Sequence, residues 1–96
     1  MTVQDLHLPI PIEELRALLQ ENGVAKAYLY GSYARNQATQ ASDLDLLVDL
    51  QPGKTYMELG ALQYKLEQRV PGGVDITTKL NKHFEPYIKP DLVEIL

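Results

Sequence analysis

The chain contains no cysteine and no tryptophan, and only one phenylalanine. Without cysteine there is neither a disulfide framework nor a zinc–thiolate centre to stabilise a small fold. Nowhere do about 18 apolar residues follow one another, so no membrane span is readable. The N-terminal MTVQDLHLPIPIEEL also lacks the basic leader and apolar run of a secretory signal. A cytoplasmic protein is the expectation. An excess of positive charge is missing too: nine Lys and Arg against thirteen Asp and Glu leave a net charge of −4. The basic residues are scattered, which argues against broad binding to a nucleic-acid backbone and for a small, metal-carried polyphosphate.

What is present, 45% hydrophobic and 23% charged residues in 96 positions, is the composition of one globular domain. A domain this size buries proportionately little surface, so a homodimer or hetero-oligomer is a reasonable source of further stability. No repeat, linker or low-complexity segment interrupts the chain. Pro11, the apolar face of Leu15, Leu18 and Leu19, and the Asn22-Gly23 stop predict a helix from Pro11 to Asn22. Val24 to Tyr30 reads as a strand that runs into Gly31, after which Ser32 caps a short helix carrying Tyr33, Ala34 and Arg35.

Asp43 to Leu50 alternates, with Leu44, Leu46, Val48 and Leu50 on one face and Asp43, Asp45, Leu47 and Asp49 on the other. Pro52-Gly53 turns the chain, and Thr55 with Glu58 forms a capping box that opens a helix ending near Arg69, its core stripe Leu59, Leu62, Leu66 and Val70. Pro71-Gly72-Gly73 breaks the chain before a third strand, Val74 to Thr77. A helix over 81–88 and one amphipathic turn over 91–96 complete the reading. This order gives an α/β fold, a sheet with helices packed on it.

Asp43 and Asp45 stand two apart on a strand, so their carboxylates project from the same face and repel each other. A divalent cation removes that repulsion, and oxygen ligands of this kind suit Mg2+ or Mn2+. Two or three aspartates leave coordination positions for water and the phosphates of an NTP, and a pair of ions is the expected arrangement. Gly31-Ser32, between a strand and a helix N-terminus, lets backbone amides approach a phosphate, and the Ser32 hydroxyl and the Arg35 guanidinium can add donors. Asp75, on the third strand, can serve as a further metal ligand or accept the proton of an acceptor hydroxyl. Taken alone, the paired acids fit a solvated strand face equally well, and the upstream Gly31-Ser32 is what favours a site. Asp49 is excluded because it sits about 13 Å from Asp45 along the strand. Lys54, His7 and His83 read as surface residues. The six tyrosines read as core or interface, with Tyr33 nearest the loop.

The run GSYARNQATQASDLDLLVDL, a Gly-Ser followed after ten residues by Asp-Leu-Asp, resembles the signature of polymerase-beta-type nucleotidyltransferases. VDITT resembles their third-carboxylate strand. Within that superfamily, the short length and the Ser-Asp-Leu-Asp-Leu-Leu-Val run followed by Pro-Gly-Lys are most similar to the minimal nucleotidyltransferases. The resemblance implies the polymerase-beta-like fold over a single nucleotidyltransferase domain spanning residues 1–96. It also implies ATP as substrate, and catalysis by Asp43, Asp45 and Asp75 with Gly31, Ser32 and Arg35 on the phosphates. Those small proteins are commonly antitoxins that transfer AMP to a tyrosine of a HEPN-type toxin, so such a toxin is the implied partner. One departure stands out: Asn36 occupies the place where the family often has glycine after the Ala-Arg pair. A non-catalytic antitoxin and an orphan transferase acting on a small-molecule hydroxyl are the alternatives.

Overall fold

The computed structural model describes residues 6–78 and 92–96. Pro11 stands immediately before the first helix, α1 (Ile12–Glu21), which ends at the Asn22-Gly23 stop. Leu15 and Leu19 of its apolar face are fully buried. Strand β1 (Val24–Tyr30) runs directly into the single turn of α2 (Gly31–Ala34). In β2 (Leu44–Leu50) the expected alternation holds, with Leu44, Leu46 and Val48 fully buried and Asp45, Leu47 and Asp49 on the other face.

The next helix, α3 (Tyr56–Glu67), opens with the expected capping box. The Glu58 carboxylate accepts from the Thr55 backbone amide at 2.6 Å, and the Thr55 hydroxyl accepts from the Met57 amide at 3.2 Å. Leu62, Leu66 and then Val70 are buried, with Leu59 packed against them. Strand β3 (Val74–Thr77) lies where it was expected.

The chain end differs from its reading. Instead of an amphipathic turn, Val93–Glu94 form a fourth strand, β4, antiparallel to β1 with Tyr28 opposite Glu94 and Leu29 opposite Val93. The Ile95 amide donates to the Ala27 carbonyl at 2.9 Å. The physical reason is that β1 would otherwise present an unpaired edge, and its backbone groups need partners whatever the side-chain pattern of the last residues. The helix expected over 81–88 lies outside the described residues.

The sheet is small and mixed, in the order β3-β2-β1-β4. β1 and β2 are antiparallel, while β2 and β3 are parallel with α3 as the crossover between them. α1 packs on β1, α3 packs on β3, and the two helices touch. Their Leu15, Leu19, Leu62 and Leu66 share one core with Leu29, Leu44, Leu46 and Val48 of the sheet. Among the described residues no helix is long and apolar enough to cross a membrane.

Candidate active site

The sheet register creates one row of chemistry-bearing residues. Tyr30 of β1 lies opposite Asp45 of β2, and Asp45 lies opposite Asp75 of β3. Residues paired across neighbouring strands project from the same face, so the three side chains stand side by side on the face away from the leucine core. Asp43, two residues before Asp45, is exposed at the mouth of β2, and Asp75 is exposed on β3. The three aspartates singled out by sequence are therefore brought together.

Their mutual field is visible in Asp45, whose carboxyl is pushed up to about 6. Burial is the largest cause, followed by the charges of Asp75 and Asp43, while the Arg35 guanidinium pulls the other way. All three groups are hard, anionic oxygen donors, the ligand type that suits Mg2+ or Mn2+. Among the described residues no three acidic or histidine side chains converge closely enough to make a ready-built metal cage.

Glycines set the walls of this row. Gly31 has φ +75°, and a Cβ built on it would lie 2.2 Å from Asp45 Oδ2. Any side chain there would meet both backbone strain and the carboxylate. On the other side, a Cβ at Gly72 would lie 2.1 Å from the Ser42 carbonyl oxygen. The loop after α3 thus lies directly on the entry to β2, where the Leu44 amide donates to the Gly73 carbonyl at 2.9 Å. The Gln63 side chain of α3 donates to the Val74 carbonyl beside Asp75. In the sequence Pro71-Gly72-Gly73 reads only as a chain break. The close approach could not be read from it, because the contact joins segments distant along the chain.

One expectation on the phosphate loop needs correction. Ser32 does not cap α2: the cap position is Tyr30, no side chain caps the turn, and Ser32 lies inside it. Because the helical hydrogen bonding already starts at Gly31, whose carbonyl accepts from the Arg35 amide, the turn begins one residue earlier than its cap-like serine indicates. Arg35 is the exposed C-cap residue of α2, where its Nε donates to Gln37 Oε1 at 3.2 Å. It remains near enough to Asp45 to favour that carboxylate's charged form.

The departure at Asn36 has a physical explanation. Asn36 has φ +57°, its amide donates to the Tyr33 carbonyl, and the Gln37 amide donates to the Ser32 carbonyl at 2.8 Å. This is the Schellman arrangement, whose left-handed position takes glycine first and asparagine next. The turn after Arg35 is therefore closed without the glycine.

Tyr30 was missed. The sequence alone groups it with the core or interface tyrosines and puts Tyr33 nearest the loop. Tyr33 is buried in the core, with its hydroxyl 3.5 Å from the Thr39 carbonyl, whereas Tyr30 stands in the row of carboxylates. Burial raises the Tyr30 phenol above its ordinary 10.0, and Asp75 and Asp45 add to the effect. The available signal was its phase in β1, but only the register with β2 shows what it faces.

Asp49 is exposed and apart from the row, as expected. The aliphatic stem of Lys54 lies over Gly23. A cavity of about 580 Å³ is lined by His7, Leu8, Tyr33, Thr39, Gln40 and Pro71, none of them in the carboxylate row.

Residues 12–96 match a family described as nucleotidyltransferase domain. Two proteins of Methanocaldococcus jannaschii, both named as candidate protein adenylyltransferases, are similar in sequence. One is 39% identical over 66 residues, 69% of this chain and 71% of that protein. The other is 33% identical over 81 residues, 84% of this chain and 82% of that protein. A solved structure described as a candidate minimal nucleotidyltransferase superposes with a TM-score of 0.73 at 28% identity, covering 85% of this chain and 86% of the other. A crystal structure described as a toxin–antitoxin with AMP-PNP shares the fold with a TM-score of 0.74 at 19% identity, covering 91% of this chain and 73% of that one.

Proposed function

The chain belongs to the nucleotidyltransferase domain family, and from that premise we propose that it transfers AMP from ATP to a tyrosine hydroxyl of a HEPN-type toxin and so acts as the antitoxin. The observation that carries the reading is Asp45. Its carboxylate is pressed against Gly31 and flanked by Asp43 and Asp75, an arrangement that disfavours its own charge. A surface used only for contact has no need of three mutually repelling acids. A transferase has one, because a divalent cation and a triphosphate complete such a site. The names of the M. jannaschii relatives support protein as the acceptor, and the fold shared with a toxin–antitoxin supports a toxin as the partner.

In the proposed reaction the acceptor oxygen attacks the α-phosphorus of ATP. The bond from that phosphorus to the bridging oxygen breaks, pyrophosphate leaves, and AMP remains on the acceptor. Asp43, Asp45 and Asp75 would hold Mg2+, with a pair of ions the fuller arrangement, which when bound offsets the charge of the carboxylates and the triphosphate. The exposed Asp75 receives the hydroxyl proton from the open side of the sheet. The backbone of Gly31 and Ser32 contacts the phosphates. α2 is a single turn, so individual amides rather than a long helix dipole do this. The Ser32 hydroxyl and Arg35 add replaceable donors.

The test is to incubate the purified chain with Mg2+, ATP and the co-expressed neighbouring protein and to examine that neighbour by intact mass spectrometry. Addition of one AMP to a tyrosine, lost in Asp43→Asn and Asp45→Asn, is the expected result. Neutralisation of a toxin with no modification would replace this reading with that of a contact-only antitoxin. Transfer to a small molecule alone would replace it with the orphan enzyme.

A further inference from the structure

The Tyr30 hydroxyl and the Thr77 Oγ1 lie 3.2 Å apart. In the register of the sheet this bond is a diagonal. Tyr30 belongs to the row Tyr30–Asp45–Asp75, while Thr77 belongs to the next row on the same face, Tyr28–Leu47–Thr77. The phenol therefore reaches from β1 over β2, between Asp45 and Leu47, to the strand that carries Asp75. β3 stands first in the sheet order and has only four residues, so the described strands pair it on one side alone. Its backbone ladder to β2 fixes its register, and Gln63 fixes its start. The bond from Tyr30 is an additional attachment, made two residues beyond Asp75 to the far side of β2.

Resting on the functional reading above, we propose that Tyr30 and Thr77 form a strut that positions Asp75 against Asp45, making both positioning residues of the transfer reaction. The strut opposes the separation that the two carboxylates would otherwise adopt through their repulsion. It also sets the Tyr30 ring beside Asp45, its register partner on β2. A small displacement of a group that must accept a proton or hold a metal is amplified in rate, whereas NTP contacts made by Gly31, Ser32 and Arg35 do not depend on it.

The test uses Tyr30→Phe, Thr77→Val, the double variant and Thr77→Ser. Each single variant should lower kcat by about tenfold or more while leaving the KM for ATP within about twofold. The double variant should be no worse than either single one, since both remove the same bond. Thr77→Ser, which keeps the hydroxyl, should recover the parental rate. Independently of turnover, Mn2+ affinity measured by electron paramagnetic resonance without ATP should fall in Tyr30→Phe and Thr77→Val and recover in Thr77→Ser. Additive losses, unchanged kcat and Mn2+ affinity, or a loss in Thr77→Val that serine does not restore would overturn the strut alone. A parental protein that neither binds Mn2+ nor transfers would overturn the functional reading, and the strut with it.

Discussion

Removing the charge of Asp45 should make the metal-free protein more stable while ending its activity. The carboxyl rises from an ordinary 3.8 to about 6 on folding. A raised carboxylate contributes stability below 3.8, and that contribution is lost as the pH rises through about 6. At neutral pH Asp45 is therefore ionised at a cost to the fold. At about 1.36 kcal/mol per pH unit the ceiling is about 3 kcal/mol. Asp45 is partly exposed, so solvent screening reduces this to about 1–2 kcal/mol. Asn is close in shape, and no hydrogen bond is among the causes acting on the Asp45 carboxylate, so little is lost in exchange. For a domain of this size each kcal/mol moves Tm by about 4–8 °C, so Asp45→Asn should raise it by at least about 4 °C. The assay is scanning calorimetry in EDTA at about pH 8 and about pH 4, where the gap should be largely gone. A variant that melts at or below the parental temperature at the higher pH would refute the reasoning, as would a gap that ignores pH.

Mg2+ with ATP should raise the parental Tm and leave the Asp43→Asn, Asp45→Asn double variant unmoved, because a ligand that binds only the folded state stabilises it by mass action; titration calorimetry should likewise show ATP binding that requires metal only in the parent. Gly31→Ala should lower stability by about 1–2 kcal/mol from its left-handed backbone alone and abolish transfer by displacing Asp45, measured by thermal melts and single-turnover rates; near-parental transfer would show that the wall is not needed. Asn36→Gly should keep the parental rate and change Tm by no more than a few degrees, since both residues fit the left-handed position. Ser32→Ala and Arg35→Ala should reduce transfer less than loss of either paired aspartate, and equal losses across all four would mean that the roles are ranked wrongly.

Elements written in local chemistry were legible. The capping box of Thr55 and Glu58 stands where its spacing places it, and the alternation of Leu44, Leu46 and Val48 reports a strand with one buried face. Asp43 and Asp45 share a face for the same local reason. What was not legible depends on pairing between distant segments. β4 exists because β1 has an edge to fill, and Val93-Glu94 is too short to announce a strand. The meeting of Gly72 with Ser42 and the position of Tyr30 beside Asp45 follow from register, which the residues concerned do not encode individually. Asn36 reads as a departure in the sequence because only its backbone angle shows that asparagine does the work of glycine.

Register is also what holds three repelling acids together, and it is held by the residues beside them. Leu44 and Leu46 flank Asp45, and Val74 precedes Asp75; all three are buried in the core on the opposite face. A slip of β3 by one residue would turn Asp75 into the core and Val74 out of it. Burying a leucine or valine side chain is worth about 1.5–3 kcal/mol each, so these three together outweigh the about 1–2 kcal/mol by which charged Asp45 opposes folding. The acids cannot relieve their repulsion by changing register, because each is followed or preceded by a side chain that would have to leave the core. Within the row the backbone ladders hold the strands at their hydrogen-bonding spacing, so what remains free is how far the side chains lean apart, which is where a bond crossing β2 from Tyr30 to Thr77 has its effect.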